Sequence, residues 1–220
     1  VHLAGVALGT LITIGSGPVV TGLLSWAVLK ERPRATWILA TALCILGCAL
    51  LVGGGAQMPG VSLFGLLLAF LADAAYATYT VGAKQLIVRG ARGDDVMTAA
   101  FLLGGILLVP LLLVSPLGWL ASPAGVVMAL WLGFGTVTVA YLLFGRGLDV
   151  LPAPAVATLL LAEPVVATFL GVVVLGERLP PIAWVGALIV IAGLAIQGLV
   201  SSRERGGHAG DEFDTAGFPT

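Results

Sequence analysis

Long apolar runs separated by short polar punctuation dominate the chain. A helix needs about 20 mostly apolar residues to cross a hydrocarbon core roughly 30 Å thick. Seven runs reach or approach that length, near residues 8–29, 36–54, 61–83, 97–114, 124–145, 155–176 and 182–200. Charge, proline and glycine collect between them, at 30–34, 53–60, 89–95, 115–123, 146–154 and 177–181. After Val200 the sequence turns polar and loses periodicity, so residues 201–220 read as a disordered tail. The pattern predicts an all-α integral membrane protein of about seven transmembrane helices.

Seven spans place alternate loops on alternate sides. The side reached after the first span receives nine of the ten basic residues: Lys30, Arg32, Arg34, Lys84, Arg89, Arg92, Arg146, Arg203 and Arg205. Arg178 alone falls on the other. By the positive-inside rule the basic side is cytoplasmic, so the C-terminus is expected inside, in a multi-pass protein of the cell (inner) membrane.

The pattern also repeats. Residues 18–32 read PVVTGLLSWAVLKER and residues 164–178 read PVVATFLGVVVLGER, agreeing at eight of fifteen positions without a gap. Ile45/Ile191, Gly47/Gly193 and Ala49/Ala195 continue the match at the same offset. Apolar composition alone gives roughly one or two matches in such a window, so the copies read as an internal repeat. The offset contains five spans. Five is odd, so the second copy crosses the membrane in the opposite sense. Paired inverted halves can open a central site to one side and then to the other, which links the repeat to transport. Channels use inverted repeats too. Pro18 and Pro164 fall mid-span, and each frees a carbonyl four residues earlier, at Ile14 and Leu160. Each is either a packing kink or a hinge, a helix break facing a cavity.

Composition strengthens the membrane reading. Apolar residues make up 59% of the chain, charged residues 10%, and the mean hydropathy is +1.12. Soluble domains carry about a quarter charged residues. The 31 glycines suit close helix packing in a bilayer. A net charge of −1 gives no attraction to nucleic acid. Cys44 and Cys48 share one helix face and read as small buried residues rather than a disulfide framework. The first residue is Val1, so the true N-terminus is expected to lie upstream.

Glu163-Pro164 followed by Leu175-Gly176-Glu177-Arg178 resembles the drug/metabolite transporter superfamily, in particular its EamA-type members. The first copy departs from the family pattern, with Gly17 in place of the acid and Lys30 in place of the glycine. The resemblance implies a fold of ten helices in two five-helix inverted repeats. Residues 1–55 would be the last two helices of the first repeat and 58–200 a complete second repeat, with about three N-terminal helices absent. It also implies export of small organic solutes or metabolites. Glu31, Arg32, Glu177 and Arg178 form the repeat motif at helix ends, where anchoring at the interface is the plain reading.

Two acids lie well inside spans, Asp73 and Glu163. A charged side chain at mid-span costs about 2.5–3.5 kcal/mol on insertion scales, so such residues usually face a cavity or a partner. Asp73, Tyr76, Thr80 and Lys84 share one helical face, with Tyr79 off it. Lys84, near the cytoplasmic end, is expected to snorkel. Phe134, Thr138 and Tyr141 form a second stripe. Asp73, Tyr76, Thr80, Thr138, Tyr141 and Glu163 are therefore the candidate solute-binding residues, between the repeats near mid-membrane. Glu163 is also placed to carry a coupling proton. The partners implied are the lipid bilayer, a small-molecule substrate and protons, with a homodimer open to the chain; no cofactor or metal is implied.

Enzyme classes find little support. A membrane serine protease needs a Ser–His pair, but His2 and His208 lie outside the spans. His-Glu-x-x-His is absent, a second intramembrane Asp is absent, and so is a phosphate-cradling Gly-Lys-Ser/Thr loop. A channel-like pore and an inactive truncated protein remain the alternatives to a transporter.

Overall fold

In the computed structural model each apolar run is helical, because in a bilayer the backbone must satisfy its own hydrogen bonds. The structure describes residues 6–30, 32–53, 63–176 and 178–215. In chain order the helices are α1 (Val6–Leu29), α2 (Ala35–Gly53), α3 (Leu63–Val88), α4 (Gly93–Val114), α5 (Pro123–Leu130), α6 (Val139–Val150), α7 (Ala153–Leu159), α8 (Ala162–Leu175) and α9 (Pro181–Thr215). Among the described residues there is no strand. Five helical segments are long and apolar enough to span: Phe64–Val88, Gly93–Val114, Pro123–Val150, Ala153–Val174 and Pro181–Ser201. Ile14–Leu29 and Ala35–Leu51 are shorter apolar stretches. Leu107, Leu113 and Val114 of α4 are 78–80% exposed, a surface only lipid or another apolar partner tolerates.

Three boundaries differ from the pattern. The third span continues to Val88, so Lys84 lies inside α3 rather than beyond it. The sixth run is not one helix: α7 ends at Leu159, Leu160 and Leu161 form a turn, and α8 begins at Ala162. The last helix runs past Val200 to Thr215, since no proline interrupts the chain between Pro181 and Pro219.

The chain divides into two compact units. One comprises residues 1–81 and 153–220, the other 82–152. The first unit is built on the repeat. The helix before the motif ends at Leu29 in one copy and Leu175 in the other; the next helix starts at Ala35 and at Pro181. These boundaries keep the offset of the sequence match. α2 packs along α9. A Cβ on Gly47 would stand 2.7 Å from the Gly186 carbonyl oxygen and 2.7 Å from the Val190 nitrogen. On Gly193 it would stand 2.9 Å from the Ala40 carbonyl oxygen and 2.6 Å from the Cys44 sulfur. Gly186 meets Gly47, Leu50 and Leu51. As one number rises its partner falls, so the helices run antiparallel. The pairs also exchange under the repeat offset, as a pseudo-two-fold axis requires. Around this contact Ile14, Cys44, Cys48, Leu161 and Val190 form a buried core. Both thiols are free and buried.

Both copies end their helix on a left-handed residue. Gly176 has φ +68° and its N–H donates to the Gly171 carbonyl. Lys30, at the equivalent position, has φ +62°. Glycine adopts this conformation without steric cost; for other L-residues it costs roughly 1–2 kcal/mol. Lys30→Gly is therefore expected to stabilise the chain by about 1 kcal/mol. An unchanged or lower melting temperature in detergent would contradict this.

Candidate functional site

The first acid is held by two helices. Asp73 on α3 is only 5% exposed, and the Ser16 hydroxyl of α1 donates to its Oδ2 at 2.6 Å. That is an ordinary length for a hydroxyl–carboxylate hydrogen bond. Gly17 leaves the room: a Cβ there would lie 3.1 Å from Asp73 Oδ1. Further along α3, the Tyr76 and Tyr79 rings sit 6.0 Å apart, so Tyr79 belongs beside the stripe, as residues three apart on a helix do. Thr80 is buried, and its Oγ1 has no hydrogen-bond partner among the described residues.

The second acid stands at a helix break. Pro164 cannot donate to the Leu160 carbonyl, which instead accepts the Glu163 N–H at 3.0 Å. The tightened turn at Leu160–Leu161 follows, and the Cys48 thiol donates to the Leu161 carbonyl at 3.9 Å. Glu163 is exposed, in the first turn of α8, where a carboxylate is favoured by the helix dipole. Pro18 behaves differently. It is buried and α1 continues through it without interruption. Of the two prolines, Pro164 alone has an interruption of its helix beside it, at Leu160–Leu161.

α7 is locked to α2 by a polar chain that the sequence analysis passed over. The Trp37 indole N–H donates to the Pro154 carbonyl at 3.0 Å, its ring lying on Gly22. Thr158 donates to the same carbonyl at 3.0 Å and meets Thr41 at 2.8 Å. With its proton used on Pro154, Thr158 accepts, so Thr41 donates. The missed signal was a threonine in each of two apolar runs.

The second unit ties three helix ends together. Pro152 has no N–H to offer the Leu148 carbonyl at the end of α6. The ammonium of Lys84, 8% exposed, donates to that carbonyl at 2.6 Å. Lys84 therefore does not snorkel; an unsatisfied carbonyl within reach outcompetes the interface. Asp149 of α6 accepts the Gly93 N–H at the start of α4 at 2.8 Å. Arg146 pairs with Asp94 at 3.1 Å on the surface.

The second stripe does not turn inward as a set. Residues Trp131–Thr138 are π-helical, so the spacing of Phe134 and Thr138 no longer follows an α-helical face. Both are exposed, and Thr138 donates to the Gly133 carbonyl five residues back at 2.8 Å. Tyr141 is half-buried between Phe101, 4.5 Å away, and Phe144, 5.8 Å away. Thr138 and Tyr141 belong to the second unit; Asp73, Tyr76, Thr80 and Glu163 belong to the first.

Of the repeat motif, Glu31 and Glu177 lie outside the described residues, while Arg32 and Arg178 are exposed. A groove of about 510 Å³ at the end of α1 is lined by Trp26, Ala27, Lys30 and Arg32 and holds neither intramembrane acid. Among the described residues, no three His, Cys, Asp or Glu are grouped to hold a metal ion. Asp73 and Thr80 thus place a carboxylate and a hydroxyl, both buried, on one apolar helix.

Residues 63–198 match the EamA-like transporter family. The chain is 39% identical over 193 residues to the uncharacterized transporter YwfM of Bacillus subtilis, covering 87% of this chain and 64% of that protein. It is 30% identical over 198 residues to a "Probable terminal-alkyne amino-acid exporter" of Streptantibioticus cattleyicolor, covering 89% of this chain and 65% of that protein. It thus spans slightly less than two thirds of these relatives' length. A crystal structure with 23% identity superposes with a TM-score of 0.75 over 92% of this chain and 70% of the other, a likeness of fold.

Proposed function

The chain belongs to the EamA-like transporter family, and on that premise we propose that its protein is a secondary transporter exporting small organic solutes by alternating access between inverted repeats. The observation that carries this reading is the antiparallel, self-matching contact of α2 with α9. It joins two copies of one element across a pseudo-two-fold axis, the geometry in which two halves can exchange conformations. Export is favoured because one relative is named as an exporter. Amino acids are the first solutes to test, since that relative's name specifies one and a carboxylate suits an ammonium group. The loop charges support a cytoplasmic C-terminus in the cell membrane.

The test is solute uptake into inside-out vesicles. A transporter gives saturable uptake driven by a gradient; a channel gives flux that rises linearly with concentration. Protons are proposed as the coupling ion, with Glu163 at the helix break as carrier. Glu163→Gln keeps the size and removes the titration. It is expected to lower pH-gradient-driven uptake by about tenfold, which corresponds to about 1.4 kcal/mol. Unchanged gradient-driven uptake in this variant would remove the proton from the scheme.

A further inference from the structure

We propose that Asp73 is the acid of the first repeat, supplied by α3 at the place that Glu163 occupies on α8. The inference rests on the transport reading for its functional consequence and on geometry for its placement. The repeat puts Gly17 opposite Glu163, each directly before the shared proline. Symmetry therefore calls for a carboxyl group beside Pro18, and α1 has none. The structure fills the gap from another helix. A side chain on residue 17 would start 3.1 Å from Asp73 Oδ1, 3.6 Å from Oδ2 and 3.7 Å from Cγ. The carboxyl group thus occupies the space into which an acid on α1 would grow. Ser16, the neighbour of Gly17, donates to it at 2.6 Å and fixes it there. Glycine at 17 leaves the carboxylate its space, since even a Cβ there would press on Oδ1 at 3.1 Å and the carboxylate would have to give way by a few tenths of an ångström. Each copy of the repeated proline then has one acid beside it, Glu163 of α8 at Pro164 and Asp73 of α3 at Pro18, both acids lying within residues 58–200.

This placement separates a working acid from a carboxyl group that merely joins two helices. Asp73→Asn keeps the shape and can still accept the Ser16 hydrogen bond. The double variant Gly17→Asp/Asp73→Ala returns the acid to the helix where the repeat expects it. Uptake of a radiolabelled amino-acid hydrolysate into vesicles is measured for the wild type and both variants. Asp73→Asn is expected to lower saturable uptake by about tenfold, and the relocated acid to restore it to within about threefold of wild type. A smaller fall in the Asn variant, or no recovery in a double variant whose melting temperature matches wild type, overturns the proposal. Should the wild type take up nothing, the transport reading fails, and melting in detergent decides the placement by itself. Gly17→Asp then lowers the melting temperature when Asp73 is present and spares it when Asp73 is Ala, since the two carboxylates would compete for one space. Equal effects in both backgrounds overturn the placement.

Discussion

Gly47→Val is expected to destabilise the protein by about 3 kcal/mol or more, the upper part of the range for overpacked cores. The atoms that a Cβ at residue 47 would strike at 2.7 Å include backbone of α9, the Gly186 carbonyl oxygen and the Val190 nitrogen. No rotamer change clears a backbone atom, so the helices must separate. Lipid tails are as apolar as the helix faces, so close packing, not the hydrophobic effect, holds such pairs together in a membrane. Separation forfeits that packing along the whole seam. Gly104→Ala is the control. That glycine lies in α4 with nothing within 4 Å, and alanine there is expected to be neutral or to stabilise by up to about 1 kcal/mol. Thermal melting in detergent compares the two. Similar melting temperatures would mean that α2 and α9 are not in backbone contact.

The second large effect is expected at Lys84. Lys84→Met preserves length and removes the donors, leaving the Leu148 carbonyl unpaired in a fully buried setting. Losing a buried hydrogen bond to a charged group costs about 1.5–3 kcal/mol. The adjacent Asp149–Gly93 bond should loosen with it, because it holds the same end of the α4–α6 pair. Protection of the amides at the start of α4 against hydrogen exchange is the local readout. A neutral or stabilising Lys84→Met would show instead that the ammonium reaches the membrane surface.

The apolar runs gave the helices and the membrane class directly, because span length is fixed by bilayer thickness and needs no partner. The left-handed helix ends were half legible: Gly176 marks one plainly, and Lys30 matches it only through the repeat. Lys84 was misread because its acceptor is 64 residues away. The missing N–H of Pro152 was the available clue. The π-helical stretch Trp131–Thr138 carries no residue that demands it, so the stripe drawn through Phe134 and Thr138 assumed the wrong turn. Gly17 and Asp73 were each singled out, but only folding shows that one makes room for the other. Pro164 was read as a kink or hinge, and the helix is interrupted just upstream, where the proline's missing donor leaves the Leu160 carbonyl to Glu163.

The pairing of α2 with α9 also sets a timetable for biogenesis. Cys44 and Val190, bonded at 3.7 Å across that seam, are 146 residues apart in the chain. At synthesis rates of about 5–20 residues per second, α2 leaves the ribosome roughly 7–30 s before its partner. Through that interval Gly47 and the rest of its α9-facing side have no α9 to pack against. α2 must therefore enter the bilayer on its own apolarity and cannot borrow its orientation from α9. On the proposed topology that task falls to Lys30, Arg32 and Arg34, the basic cluster translated just ahead of it, because loops rich in Lys and Arg resist translocation.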